Sequence, residues 1–270
     1  MSVEAQDFAL FARTQLAPAA VHNLRAAFAA YQHGGDPETQ IKSDGTPAGI
    51  ADRETERLLR EMIAAHYPAH GIVGEELGAT QPTAAFVWIL DPLDGTKEFL
   101  AKEDGWCSLI ALLQNGKPLL GSIIDPQQDK IWDQDAAPMD AKGAVSIEQA
   151  TIATTTPQGM FGDTIYEQGA QRLFDRCATV RKRLNGLGFA YAATGLVDVA
   201  VENDLKLHDI AALLPVLWAR GAVCYDLSGH NYKDVSFDLT KADTARYSLV
   251  SGLQTKLVED VLNIMKDRDA

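Results

Sequence analysis

Two aspartates three residues apart, Asp91 and Asp94, are the residues whose spacing points most directly to chemistry. The apolar run at residues 86–90 predicts a buried strand, and the proline after Asp91 predicts that regular strand pairing ends there. Gly95 then turns the chain, and Thr96 stands where a following helix would begin. Such a turn can hold a hard cation and a phosphate together, although an ordinary strand end followed by a turn has the same composition.

Other carboxylates stand at comparable places along the chain. Glu75 follows a short apolar pair flanked by glycines, so it ends a second predicted strand, and adjacent strand ends would bring Glu75 and Asp91 together. Asp52 and Asp209 stand where helix N-caps belong, and capping is the favoured role of each residue taken alone. Glu202 ends a further predicted strand. The recurrence of carboxylates at element ends is harder to attribute to coincidence than any one of them.

The elements that must position these residues follow from hydrophobic periodicity and turn signals. Helices are predicted at residues 3–32 (interrupted near Pro18), 53–67, 166–177, 189–194, 210–220 and 256–266. Strands are predicted at residues 72–73, 86–90, 106–113, 118–124, 130–132, 151–155, 179–184, 197–201, 223–226 and 247–251. The antiparallel meander predicted after residue 106 excludes a simple βαβ series, so the predicted fold class is α+β. The polar stretch 133–146 divides an N-terminal half, 1–145, from a C-terminal half, 146–270.

Composition and charge limit the classes of partner and the location expected for this protein. The formal net charge of −13 argues against a nucleic-acid polymer or an anionic membrane as partner, whereas a bound cation could still bring a phosphate to an acidic site. The three cysteines lack metal-type spacing, which predicts reduced thiols and a cytoplasmic location. No signal-peptide pattern begins the sequence, and no apolar run approaches the ~20 residues of a membrane span.

Four segments in order resemble the inositol monophosphatase superfamily of metal-dependent phosphatases: residues 42–52, Gly74-Glu75-Glu76, the stretch 91–96, and His208-Asp209 with its alanine-rich helix. The Asp-Pro-Leu-Asp-Gly-Thr turn together with the upstream Gly-Glu-Glu is more specific than either part. The resemblance spans nearly the whole chain. It implies a layered α-β-α-β-α sandwich and a homodimer.

The resemblance also implies roles for individual residues. Thr96, paired with Asp52, would orient and help to deprotonate the attacking water, while the N–H groups of Gly95 and Thr96 would hold the phosphate. Glu202 and Asn185 would contact the organic part of the substrate. Two or three Mg²⁺ ions would be bound by a set made of four carboxylates and one backbone carbonyl: Glu75, Asp91, Leu93 (carbonyl), Asp94 and Asp209. Mg²⁺ at such a site would offset the repulsion between a phosphate dianion and the nucleophile.

The branch of the superfamily is decided by other segments. Residues 109–121, 153–157 and 205–215 look most like the histidinol-phosphate phosphatase branch, whereas residues 91–99 look like the bisphosphate nucleotidase branch. The three segments outweigh the one, so the predicted substrate is a small phosphorylated metabolite such as histidinol phosphate, with inositol monophosphate and adenosine 3′,5′-bisphosphate as alternatives.

Departures from the family pattern concern the substrate rather than the metals. Gly49 stands where threonine is common, Asn185 where the histidinol-phosphate branch has aspartate, and His208 where the family has Trp or Tyr; residues 220–222 replace an Ala-Gly-Gly run. An asparagine in place of a carboxylate weakens the expectation of a cationic substrate group. For His208, a plain helix-entry role is favoured over that of a ligand.

Two rival functions remain. A haloacid-dehalogenase-type phosphatase would use the first aspartate of an Asp-x-Asp pair as a covalent nucleophile, but here the aspartates are three apart and Glu75 has no place in that scheme. A non-catalytic regulator could have kept the metal and phosphate site without turnover. Such a scaffold would bind phosphate esters and metals and hydrolyse nothing.

Overall fold

Two large β-sheets, with helices before, between and behind them, make up the computed structural model, which describes residues 2–35, 40–41, 47–140, 143–155 and 164–266. The α-helices are α1 (Val3–Phe11), α2 (Ala17–Gln32), α3 (Ile50–His66), α4 (Thr96–Ala101), α5 (Thr164–Arg176), α6 (Gly186–Ala193), α7 (Leu207–Ala211), α8 (Leu213–Ala219) and α9 (Thr255–Lys266). The strands are β1 (Gln40–Ile41), β2 (Pro47–Ala48), β3 (Gly71–Gly74), β4 (Gly78–Thr80), β5 (Phe86–Asp94), β6 (Cys107–Gln114), β7 (Lys117–Asp125), β8 (Lys130–Asp133), β9 (Thr151–Ala153), β10 (Thr179–Arg181), β11 (Val199–Leu205), β12 (Val223–Tyr225) and β13 (Tyr247–Gly252).

The six-stranded sheet has the order β4-β3-β5-β6-β7-β8. β3 and β5 are parallel, and the remaining pairs are antiparallel, so the predicted meander through β6, β7 and β8 is confirmed. The register of β5 against β6 breaks between Asp91 and Asp94 because the intervening proline cannot donate a ladder hydrogen bond. β3, which Glu75 directly follows, and β5, which contains Asp91, are neighbours as expected, although β5 continues beyond the predicted end at residue 90 to Asp94.

The five-stranded sheet has the order β10-β9-β11-β13-β12, with β10, β9 and β11 parallel and β13 antiparallel to both neighbours. The prediction that a strand ends at Glu202 is wrong, because β11 continues to Leu205 with a register irregularity between those two residues. Glu202 is therefore a buried side chain within a strand. The segment that follows β9 holds the carboxylate of Glu202, which is therefore not presented from a loop.

Five layers follow from the packing of apolar side chains. Helices α1, α2 and α3 cover one face of the six-stranded sheet through residues such as Leu16, Ile63 and Trp88. Its other face packs on the central layer of α6, α7 and α8, which also covers the five-stranded sheet. Helices α5 and α9 cover the far face of that second sheet through residues such as Leu173 and Val261. The predicted α-β-α-β-α sandwich is confirmed.

Two helical details differ from expectation. The predicted interruption near Pro18 is a π-helical turn, Ala12–Leu16, which runs into α2 just before the proline. The long helix predicted at 210–220 is two short helices, α7 and α8. Within the described part of the chain, every helix is too short or too polar to span a bilayer. The division into halves at residue 145 stays a prediction.

Candidate metal and phosphate site

The turn at the end of β5 is held by hydrogen bonds from both sides. Oδ1 of Asp91 accepts the N–H of Leu93 at 3.1 Å, and Oδ2 of Asp94 accepts the N–H of Gly186, at the start of α6, at 2.5 Å. Gly95 has φ +95°, and a Cβ there would lie 3.0 Å from Trp106. The turn therefore needs glycine both for its left-handed backbone and for its close packing. Helix α4 begins at Thr96, as predicted.

Asp52 pairs with Thr96 from within α3. The prediction that Asp52 is an N-cap is wrong: Gly49 is the N-cap, and Asp52 is the third helical residue, with its Oδ2 accepting the N–H of Gly49 at 3.3 Å. The same buried carboxylate oxygen lies 3.4 Å from Oγ1 of Thr96. That hydroxyl also lies 3.1 Å from the carbonyl oxygen of Leu93. Asp52 thus satisfies an orphan helix N–H and reaches the β5 turn at once.

Glu75 owes its position to a buried carboxylate that the sequence analysis missed. Glu56, on α3, accepts the N–H groups of Glu76 and Leu77 at 2.8 and 3.2 Å, and Arg60 pairs with it at 2.7 Å. Gly74 packs against that carboxylate so closely that a Cβ there would lie 2.0 Å from Oε1 of Glu56. This contact fixes the turn that presents Glu75 beside the end of β5.

Asp209 reaches the site from the start of α7. The prediction that it is an N-cap is also wrong: Lys206 is the N-cap, and Oδ2 of Asp209 accepts its N–H at 2.6 Å. The preceding residue, His208, is buried, with 6% of its surface exposed. Its Nε2 lies 3.5 Å from Oδ1 of Asp209 and 3.8 Å from Oε1 of Glu75. His208 therefore faces the carboxylates. The helix-entry role predicted for it did not include such a contact.

Two trios of possible ligand atoms share Asp91. The first is Asp91, Asp94 and Asp209, and the second is Glu75, Asp91 and His208; within each trio the ligand atoms lie within 4.8 Å of one another. Burial and the neighbouring acids raise the pKa of Asp91 well above its usual range, and they raise the pKa of Asp94 to about 7. Carboxylates that repel one another in a buried site are suited to bind divalent cations, because a cation would offset both their burial and their repulsion.

A cavity of about 200 Å³ opens over the carboxylates, and a second of about 190 Å³ adjoins it. Glu202 lines the second cavity, where its Oε1 accepts the N–H and the Oγ1 hydroxyl of Thr155 at 2.5 and 2.8 Å. Burial raises the pKa of Glu202 to about 8. Thr155 lies on the walls of both cavities and was missed as a site residue, although the resemblance at residues 153–157 marked its segment.

Asn185 lies on the wall of both cavities, as its predicted substrate contact requires. Its Nδ2 donates to Oε2 of Glu98 at 3.1 Å and to the carbonyl oxygen of Gly105 at 2.9 Å. These bonds tie α6 to α4, and the next residue, Gly186, donates to Asp94. Asn185 therefore positions the wall of the site with its amide nitrogen.

The structure thus gathers every predicted site residue around one pair of cavities. The model of the inositol monophosphatase family matches residues 5–266. A histidinol-phosphatase of Mycobacterium tuberculosis is 30% identical over 207 residues, which are 72% of this chain and 79% of that protein. The bifunctional phosphatase IMPL2 of Arabidopsis thaliana is 32% identical over 201 residues, which are 71% of this chain and 58% of that protein. An inositol monophosphatase structure from Zymomonas mobilis has a TM-score of 0.77 at 26% identity and covers 99% of this chain and 100% of its own.

Proposed function

The chain belongs to the inositol monophosphatase family of metal-dependent phosphatases, and from that premise we propose that it hydrolyses histidinol phosphate with Mg²⁺ as a cofactor. The observation that carries the phosphatase chemistry is the pair of ligand trios sharing Asp91, beside the Thr96–Asp52 pair. Divalent cations bound there neutralise phosphate charge and activate water for attack. Glu75, Asp91, Asp94, Asp209 and the carbonyl of Leu93 are the residues proposed to hold them.

Thr96 and Asp52 are proposed to take the proton of the attacking water. The Thr96 hydroxyl carries one proton, which it can donate to Asp52 or to the Leu93 carbonyl but not to both at once. When Asp52 accepts that proton, the lone pairs of Oγ1 are left to receive one from water. Asp52 is buried, so its carboxylate stays close to the hydroxyl without competition from bulk solvent. The N–H groups of Gly95 and Thr96 are proposed to hold the phosphate oxygens.

The substrate proposal rests on the second cavity and on the relatives. The relative from M. tuberculosis is named a histidinol-phosphatase. In this chain the buried carboxyl group of Glu202 lines the cavity next to the phosphate site, where a protonated amine or imidazolium would lower its raised pKa and form an ion pair with it. The apolar side chains of Phe189 and Leu213 line the same cavity and suit the carbon skeleton of a small metabolite.

A panel of phosphate esters tests this function. Histidinol phosphate, inositol 1-phosphate and adenosine 3′,5′-bisphosphate are each incubated with the chain and either Mg²⁺ or EDTA, and released phosphate is measured. We expect hydrolysis that EDTA abolishes, with kcat/KM for histidinol phosphate at least about tenfold above the others. Equal turnover of all three esters would contradict the proposal that histidinol phosphate is the substrate. Binding of the esters without turnover of any would instead support the non-catalytic regulator.

Two coarser expectations accompany this function. We propose that the chain is a homodimer, by resemblance to the family, and that it acts in the cytoplasm, because its three cysteines lack metal-type spacing and are expected to be reduced. Sedimentation velocity over a range of protein concentrations tests the first, and cell fractionation tests the second. A sedimentation coefficient of a monomer at every concentration would contradict the dimer.

A further inference from the structure

The metal cluster is chemically asymmetric, because one of its two ligand trios contains a nitrogen. Asp91, Asp94 and Asp209 offer oxygen only, whereas the second trio joins Glu75 and Asp91 to Nε2 of His208. Oxygen-only sites suit Mg²⁺ and Mn²⁺, and imidazole ligands favour other first-row transition metals such as Fe²⁺ and Zn²⁺. We propose that His208 is a metal ligand and that the position it shares with Glu75 and Asp91 selects a transition metal over Mg²⁺. This inference rests on the proposed function only in taking the carboxylates as metal ligands.

The distances around His208 fit an ion better than direct hydrogen bonds. Its Nε2 lies 3.5 Å from Asp209 and 3.8 Å from Glu75, beyond the range of about 2.7–3.2 Å for N–H···O bonds. Two ligands about 2.1 Å from one ion at a tetrahedral angle lie about 3.4 Å apart. The observed separations are close to that value. The imidazole nitrogen thus stands where a ligand shared with the carboxylates would stand.

Burial adds a second argument. His208 is 6% exposed, and its Nε2 faces the carboxylates. Among the described residues, the carboxylate oxygens of Asp209 and Glu75 lie 3.5 and 3.8 Å from Nε2, beyond the range of a direct hydrogen bond. A metal ion would join that nitrogen to the carboxylates of Glu75 and Asp91, which share its trio. The sequence shows the same residue as a departure from the Trp or Tyr expected by resemblance.

Electron spin echo spectroscopy of the Mn²⁺-loaded chain tests the nitrogen ligand directly. We expect modulation from a coordinated ¹⁴N, which changes to that of ¹⁵N when only the histidines are labelled with ¹⁵N. This measurement uses the unmodified chain, so it does not depend on the folding of a variant. Absence of nitrogen modulation in the Mn²⁺-loaded chain would overturn the proposal.

Calorimetric titration of the His208→Phe variant tests the metal preference. The phenyl ring keeps the aromatic bulk and removes the donor, so Zn²⁺ affinity should fall by about 10- to 100-fold while Mg²⁺ affinity changes less than about threefold. His230→Phe is the matched control: His230 also lies beside an aspartate, with Nδ1 3.2 Å from Asp226, but on an exposed loop. Equal losses for both metals, or none, would overturn the proposal. Neither experiment contains a substrate, so a chain that binds Mn²⁺ through nitrogen yet hydrolyses no ester would refute the proposed function alone.

Discussion

Two walls of the site differ in how they are built. The elbow wall, on α3 and the ends of β3 and β5, consists of Asp52, Glu75, Asp91, Asp94 and Thr96. The facing wall, on the loop after β9 and on α6, β11 and α7, consists of Thr155, Asn185, Glu202, His208 and Asp209. The residues of the elbow wall agree with the family resemblance, and the departure Gly49 bonds Asp52 there, whereas the departures Asn185 and His208 lie on the facing wall. We propose that the elbow wall carries proton transfer and the facing wall sets the substrate and metal preference, with Asp209 joining the two walls as a metal ligand.

The hydrogen bonds of the two walls explain this difference. In the β5 turn, Asp91 bonds the residue two positions on, and Thr96 bonds the carbonyl three positions back. On the facing wall, Glu202 bonds a residue 47 positions away, and Asn185 bonds the carbonyl of Gly105 80 positions away. The bonds within the turn do not depend on distant segments, and the bond from Gly186 to Asp94 is the contact that ties the turn to the facing wall. A wall assembled from distant segments can change its contacts with substrate without disturbing the turn.

The largest effect is expected when the residue shared by both ligand trios is changed. Asp91→Asn removes a charged ligand from each trio, so kcat should fall by about a thousandfold or more, which corresponds to about 4 kcal/mol in transition-state stabilisation. Steady-state kinetics with histidinol phosphate and titration calorimetry with Mg²⁺ and Mn²⁺ measure the loss. Asp125→Asn is the matched control, because Asp125 is 1% exposed like Asp91 but lies at the end of β7 outside both cavities. Activity within tenfold of the unmodified chain would refute the metal assignment.

A smaller loss is expected when proton transfer on the elbow wall is removed and the metal ligands are kept. Thr96→Val removes the hydroxyl that lies between Asp52 and the Leu93 carbonyl, so kcat should fall by roughly 10²- to 10³-fold. Metal affinity should stay within about twofold. Thr194→Val, which removes a hydroxyl bonded to a helix carbonyl outside both cavities, controls for the loss of a threonine. A parallel loss of metal affinity and activity in Thr96→Val would mean that Thr96 positions a metal ligand and does not accept a proton from water.

The elbow wall could be predicted from sequence because its signals are local. A short apolar strand, a proline that ends its pairing and a glycine turn lie within ten residues, and the resemblance at those residues supplied the roles. The helix-cap interpretations of Asp52 and Asp209 were wrong by position, since each lies third in its helix and bonds the N–H of the cap residue. The α+β class followed from hydrophobic periodicity, and the order of the layers followed from the family resemblance.

The supporting residues could not be predicted because their partners are distant. Glu56 and Arg60 are spaced like an exposed helical ion pair, yet Glu56 is fully buried under the turn that carries Glu75. The amide nitrogen of Asn185, whose predicted substrate contact stays a prediction, bonds Glu98 and Gly105, 87 and 80 positions away. His208 had the local signal of a helix start, and only the approach of β3 and β5 shows that it faces carboxylates.

Substrate choice should respond to the facing wall alone. Glu202→Gln keeps the shape of the side chain and removes its charge, so kcat/KM for histidinol phosphate should fall by roughly 10- to 100-fold, and β-glycerophosphate turnover should change less than about threefold. The two esters share the phosphate and differ in the cationic group, so each serves as a control for the other. An equal loss for both esters would place Glu202 in the shared chemistry and remove the distinction between the walls.

The smallest effect concerns the stability of the metal-free chain. It depends on pH, because a carboxyl group on each wall has a raised pKa. The pKa of Asp94 is raised from 3.8 to about 7, and that of Glu202 from 4.5 to about 8. Because each folded-state pKa lies above the unfolded value, the folded chain binds more protons in between, and stability is lost as pH rises through that interval. With EDTA present, Tm should therefore fall by roughly 5 °C between pH 5 and pH 8.

Calorimetric melting of two variants assigns that slope to the two walls. Asp94→Asn should reduce the slope between pH 5 and pH 7, where both groups contribute, and Glu202→Gln should reduce it from pH 5 to pH 8 and remove the part between pH 7 and pH 8. Excess Mn²⁺ should raise Tm most at pH 8, where the carboxylates are ionised and the folded chain binds the ion best. A Tm that rises from pH 5 to pH 8 without metal would contradict the raised pKa values. An identical slope in both variants between pH 7 and pH 8, where only Glu202 should titrate, would mean that the carboxylates of the two walls titrate as one unit.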